Sequence, residues 1–151
     1  MDISRGPSLQ AVADSLEIQN VKARYCEAVD LLTQENARER GLELLRGVFA
    51  PDAEADYGAE IHKGRAAILD FLLELVGRQR EWIQHVIGTA HVSVDGYNAT
   101  GRWTCSAHMI VAGTREQRTL IGRYADEFVH TPEGWRISRV VFRRELEHSI
   151  G

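Results

Sequence analysis

Glu81-Trp82-Ile83-Gln84-His85-Val86 is the stretch where this chain changes period. Upstream of it, apolar residues recur three and four apart. From it onward they recur two apart almost to the end, the signature of half-buried strands. Four strands follow from that alternation, over about 81–94, 98–112, 118–130 and 134–147. The residues between them are Asp95-Gly96, Gly113-Thr114 and Thr131-Pro132-Glu133-Gly134. Each has hairpin chemistry, with glycine at a position that favours positive φ. Strands joined by such tight turns run antiparallel.

Working back from that meander, the chain is helical. Residues 1–7 are expected to be loose, and Leu9, Val12, Ala13 and Leu16 then keep a short helical stripe. Asp14 and Glu17 have capping-box spacing, which predicts the start of a second helix there. Ile18, Val21, Tyr25, Ala28, Val29 and Leu32 form its stripe, and the polar residues 33–41 read as a solvated turn or helix start. Leu42, Leu44, Leu45, Val48 and Phe49 predict an amphipathic helix stopped at Ala50-Pro51-Asp52. A short strand is expected at Ala53–Tyr57, with its turn and partner over Gly58–Lys63. Gly64-Arg65 opens another helix carrying Ala67, Ile68, Phe71, Leu72, Leu75 and Val76 on one face, ending at Gly77. Helices followed by a long meander predict an α+β domain, with the helices on one face of a curved sheet. The concave layer is where a small ligand would lie.

The whole-chain numbers narrow the function. A length of 151 residues predicts one domain, 1–151, with 44% hydrophobic and 26% charged residues. A net charge of −4 gives no basic footprint for nucleic acid. Cys26 and Cys105 lie in apolar segments without metal-ligand or disulfide-scaffold spacing, so both read as buried free thiols. The opening stretch lacks the apolar run of a signal peptide, and Ile68 to Val76 is interrupted by Asp70 and Glu74. A soluble, cytoplasmic protein with no membrane partner is expected. His85 and His108 could meet across adjacent strands, but nothing completes a metal-ligand set. There is no phosphate-binding glycine loop, nucleophile elbow or dinucleotide fingerprint. With no cofactor implied, proton transfer, elimination or isomerisation is favoured over redox work.

Several stretches together carry a family resemblance. They are Arg24-Tyr25-Cys26-Glu27-Ala28-Val29-Asp30, Val48 to Gly58, Gly64-Arg65-Ala66-Ala67-Ile68, His85, Gly122-Arg123-Tyr124-Ala125-Asp126-Glu127-Phe128, and Gly134-Trp135-Arg136-Ile137. In this order they resemble the nuclear-transport-factor-two-like cone fold. Within it they resemble the SnoaL-like group, which includes scytalone dehydratase, bile-acid dehydratase and hexachlorocyclohexane dehydrochlorinase. The likeness runs from about Leu16 to Arg144 and departs at 33–41, which is longer than the usual turn. It implies a cone-shaped curved antiparallel sheet with the N-terminal helices packed on its concave face. It also implies a dyad, with His85 as base and Asp30 as its partner. Tyr25 would be the pocket phenol, and His108 a further polar pocket residue.

The chemistry suits those residue types. An imidazole with its ordinary pKa of ~6.5 accepts a proton near neutrality. A carboxylate on its other nitrogen fixes the tautomer and stabilises the imidazolium. A phenol can donate to a developing oxyanion or to departing water.

Taken without the resemblance, His85 between Ile83 and Ile87 reads as a satisfied core histidine, and Tyr25 as a buried tyrosine. Five residues at ~100° each set Asp30 about 140° around the helix from Tyr25. Either the helix loosens after Ala28, the reading preferred here, or the two groups flank the pocket from different sides. Tyr57 lines the pocket mouth or closes a hairpin. Thr104, Ser106 and His108 share one strand face, turned to the pocket or to solvent. Trp103 is the best flat wall against a cyclic substrate, Trp82 and Trp135 being packing residues. Arg144 is placed to bind an anionic group or to sit on a solvated face.

The reading is a cofactor-independent lyase of the dehydratase kind acting on a small hydrophobic cyclic molecule. An isomerase or cyclase would begin with the same proton abstraction. A non-catalytic assembly subunit, like the small subunits of ring-hydroxylating dioxygenases, is the alternative from another class. The second face of the sheet needs cover, so a homo-oligomer is expected, a trimer or a dimer.

Overall fold

A single 23-residue helix, α1 (Leu9–Leu31), opens the computed structural model, which describes residues 6–151. The loose stretch expected over 1–7 therefore lies, for its first five residues, outside the described residues. Ser8 caps α1, its Oγ accepting the Ala11 N–H at 3.1 Å. Asp14 and Glu17 do not start a second helix; they sit inside α1 and bind across the molecule. Asp14 Oδ1 accepts the indole N–H of Trp135 at 3.0 Å, and Glu17 Oε1 accepts its main-chain N–H at 3.2 Å. Two carboxylates one turn apart thus fix the helix to the start of the last strand.

After α1 the polar stretch makes a turn and enters α2 (Arg38–Val48). Arg38 holds that turn by donating to the Leu32 carbonyl at 2.9 Å and the Gly77 carbonyl at 3.3 Å. Strand β1 (Phe49–Asp56) begins earlier than the expected 53, directly at Phe49. Pro51 is exposed within a register shift between Phe49 and Glu54, so its missing N–H removes no ladder bond. Strand β2 (Ile61–Lys63) and helix α3 (Arg65–Leu72) follow, and α3 runs into a π-helical turn, Leu73–Arg78.

The meander follows as expected, with bounds within one residue of those expected except at the longer end of the last strand: β3 (Arg80–Asp95), β4 (Asn98–Val111), β5 (Gln117–Thr131) and β6 (Gly134–Ile150). The sheet has six strands rather than four, in the order β2-β1-β6-β5-β4-β3. All neighbours are antiparallel except β1 and β6, which run parallel. The helices pack against the concave face of this curved, unclosed sheet, as the resemblance implied. Alpha helix α1 buries Ile18, Val21, Tyr25, Ala28 and Val29 there, against a core that includes Phe128, Trp135, Ile137 and Val140. Burying each of the larger apolar side chains contributes about 1.5–3 kcal/mol. Among the described residues no helix is long and apolar enough to cross a membrane.

Bulges, which bend a strand, interrupt the β5–β6 ladder, one of them between Ile121 and Gly122. A Cβ on Gly122 would stand 2.3 Å from the Arg143 carbonyl oxygen and 2.7 Å from the Phe142 ring. Backbone cannot retreat as a side chain can, so Gly122→Ala is expected to destabilise the fold by about 1–3 kcal/mol. Urea denaturation of the variant checks this, and an unchanged midpoint would contradict the packing described.

One charged pair is sealed in the core. Lys22 Nζ lies 2.7 Å from Asp126 Oδ2, and both side chains are 0% exposed. The ammonium also sits over the Tyr124 ring, 3.3 Å from its centroid, and over the Tyr25 ring at 4.2 Å. Asp126 Oδ1 accepts the Val141 N–H at 3.3 Å. Burial pushes the Asp126 carboxyl above its ordinary value, with Lys22 pulling the other way.

Candidate active site

Between α1, the α3 end and the concave face of the sheet lies a cavity of about 530 Å³. Its wall is largely apolar, built from Val29, Leu72, Val76, Ile83, Met109 and Leu120 among others. The polar groups reaching it are Tyr25, Tyr57, His85, Cys105, Tyr124 and three arginines, Arg80, Arg143 and Arg144.

The alternation of β3 turns Ile83 and His85 to this interior, and the last turn of α1 brings Asp30 beside them. His85 Nδ1 is 2.6 Å from Asp30 Oδ1. The His85 main-chain N–H also points at both Asp30 oxygens, each at 3.2 Å. One carboxylate therefore fixes both the ring and the strand that carries it. An ionised carboxylate can only accept, so Nδ1 carries the hydrogen, and Nε2 of the neutral ring is left with a lone pair. The His85 side chain is 7% exposed and that of Asp30 23%.

Helix α1 stays regular through Leu31. The preferred expectation of loosening after Ala28 is thus corrected in favour of the other: Tyr25 and Val29 line the cavity, while Asp30 approaches His85 from the flank. Tyr25 and Tyr57 meet at the cavity wall with their hydroxyl oxygens 2.8 Å apart. Burial, more than any neighbour, pushes both phenols well up, so they remain protonated donors. Tyr25 packs edge-on to Phe49 and Tyr124, and Tyr57 stacks on Phe71. Burial likewise pushes the Cys105 thiol up to about 11, so the thiol at the wall is protonated and a weak nucleophile.

Two expected site residues lie elsewhere. His108 is exposed on the outer face of β4, its Nε2 3.1 Å from Ser106 Oγ and its Nδ1 3.2 Å from Thr119 Oγ1. The inward residues of β4 are Trp103, Cys105, Ala107 and Met109, so Thr104, Ser106 and His108 must face out. Trp103 does point inward but is buried against Phe128, ring centroids 5.9 Å apart, and cavity lining on β4 begins at Cys105. It is a packing residue and not a substrate wall. Arg144 stands at the cavity edge, exposed and paired with Glu147.

Arg80, Tyr124 and Lys22 were not anticipated. Arg80 enters because the β3–β4 register shifts between Arg80 and Trp82, which turns it inward one residue out of phase. Lys22 had a visible signal, since it lies on the same helical stripe as Ile18, Tyr25 and Val29.

A model of the SnoaL-like domain matches residues 10–141. The chain is 36% identical over 137 residues to Uncharacterized protein Rv2910c of Mycobacterium tuberculosis, covering 89% of this chain and 87% of that one. Among solved structures, hexachlorocyclohexane dehydrochlorinase LinA-type3 from Novosphingobium barchaimii superposes with a TM-score of 0.80 at 17% identity, covering 92% of this chain and 91% of that one. A nuclear transport factor 2-like superfamily protein from Salmonella enterica gives a TM-score of 0.79 at 16% identity, covering 89% and 93%. At those identities the two structures share the cone fold with this chain.

Proposed function

This chain belongs to the SnoaL-like domain family, and from that premise we propose that it is a cofactor-independent lyase of the dehydratase type. The observation that carries the reading is the 2.6 Å contact between His85 Nδ1 and Asp30, beside a cavity of about 530 Å³. That volume suits one small molecule, and the largely apolar wall suits a hydrophobic ring.

In the proposed reaction Nε2 of His85 takes a proton from a carbon next to an activating carbonyl. Asp30 stabilises the imidazolium that forms, an attraction strengthened by the low dielectric of the apolar wall. A base held in this way contributes roughly 10²–10⁴ in rate. The paired phenols of Tyr25 and Tyr57 supply the donor for the developing oxyanion or for the hydroxyl that leaves as water. His108 has no part in the reaction, because it faces the opposite side of the sheet. An isomerase is the second reading, supported by the same base: the proton would return to a different carbon and no water would leave.

Incubation in D₂O with a panel of cyclic β-hydroxy ketones, followed by proton NMR, tests the proposal. Loss of the α-C–H signal together with appearance of an olefinic product is expected. Exchange without loss of water would favour the isomerase. Retention of every α-hydrogen across the panel would argue against both.

A further inference from the structure

Three guanidinium groups line the cavity, and two of them are neutralised by the protein. Arg143 Nη2 lies 2.8 Å from Asp56 Oδ2, and Arg144 pairs with Glu147. Arg80 differs: among the described residues no carboxylate lies within 4.0 Å of it. Its Nε donates to Met109 Sδ at 3.1 Å and its Nη1 to the Gln79 carbonyl at 3.1 Å. A thioether is a weak acceptor, and a neutral carbonyl leaves the charge unbalanced. Glu147, the one carboxylate whose charge acts on Arg80, is itself paired with Arg118 and Arg144. Arg80 is half-buried; burial and the neighbouring Arg118 charge act against its charged form, and Glu147 acts for it from beyond ion-pair distance.

The bulge at Glu81 is what brings this cation inside, since Arg80 pairs with Val111 but Trp82 already pairs with Ile110. The guanidinium then reaches along the strand to Met109, which is paired with Ile83. The next inward position on β3 is His85, two residues on, which is about 7 Å of strand. A cation with no ion-pair partner and a base thus line one largely apolar cavity, the first held at the level of Ile83 and the second two residues further along the strand.

We infer that the substrate is a cyclic carboxylic acid whose carboxylate is held by Arg80 while its acidic C–H faces His85. This rests on the reading of the cavity as the reaction site and adds the charge of the molecule that enters. Arg80 acts here as a specificity determinant: a neutral ring of the same size leaves its charge unanswered, and a carboxylate accepts the planar fork of donors.

The probes are benzoate and its neutral counterpart benzamide, titrated calorimetrically into the full chain. Benzoate is expected to bind at least roughly tenfold tighter than benzamide. Arg80→Met is expected to weaken benzoate by roughly tenfold to a hundredfold and leave benzamide unchanged. Arg80→Lys, which keeps the charge and loses the fork, should recover part of the preference and serves if the methionine variant does not fold. His85→Ala should retain the preference, and a parent chain that exchanges no α-hydrogen while still preferring benzoate would remove the lyase reading and leave the anion site standing. Equal binding of the two probes, a preference that survives Arg80→Met, or one abolished instead by Arg144→Met would overturn the assignment.

Discussion

His85→Ala is expected to lower kcat/KM by a factor on the order of 10²–10⁴ and to leave the fold in place. The imidazole bonds one side chain, Asp30, and the strand beneath it is held by the main-chain N–H, which alanine keeps. Asp30→Asn should have an effect of the same order for a different reason. An amide still accepts from Nδ1–H, but it carries no charge to stabilise the imidazolium. The double variant should be little worse than either single one, because the two side chains act as a unit. Kinetics of the three variants, with circular dichroism as the control for folding, decide the matter. Activity within a few-fold of the parent in His85→Ala would leave the 2.6 Å contact as a structural tie and end the catalytic account.

The largest effect on stability is expected at Lys22. Removing one member of a sealed ion pair leaves the other charge buried alone, which costs about 3–5 kcal/mol. Lys22→Met is expected in that range, whereas Lys22→Met with Asp126→Asn should recover most of the loss, since both charges then leave the core together and the amide oxygen still accepts the Val141 N–H. The pH dependence gives an independent check. Burial already raises the Asp126 carboxyl, and losing the Lys22 ammonium, which pulls it down, raises it further. A carboxyl whose folded value stands above the unfolded ~3.9 takes up a proton on folding. Its contribution is therefore fully present below the unfolded value and is lost as pH rises through the folded one. The deficit of Lys22→Met should be greatest at neutral pH and shrink as the solution is acidified toward pH 4. Urea titrations across that window that found a deficit constant with pH, or one growing in acid, would contradict the burial described.

Much of this arrangement is legible in the chain because alternation and turn chemistry are local. The strands on either side of Asp95-Gly96 and Thr131-Pro132-Glu133-Gly134 lie where those patterns put them. The placement of Asp30 beside His85 came from the family resemblance, since no local rule joins residues fifty-five apart. His108 was recoverable from parity: Trp103, Cys105, Ala107 and Met109 are the apolar set, and position 108 belongs to the other one. Arg80 was not, because the extra residue at Glu81 breaks the phase on which parity depends. Asp14 and Glu17 mimicked a capping box, because spacing alone does not distinguish a bond to the same helix from one to Trp135. The parallel partnership of β1 with β6 left no mark on the sequence near either strand.

That partnership has a consequence for how the molecule is made. Strand β6 lies between β1 and β5, so the 17 residues Gly134–Ile150 join the two halves of the sheet and are translated after both. At about 5–20 residues per second, the ribosome takes on the order of ten seconds to travel from β1 to β6. Throughout that interval the part of the first helix that packs on β6, including the contacts of Asp14 and Glu17 with Trp135, lacks its partner. Truncation inside β6 is expected to leave β1 and β5 without the neighbour they share, and so to open the chain to proteolysis.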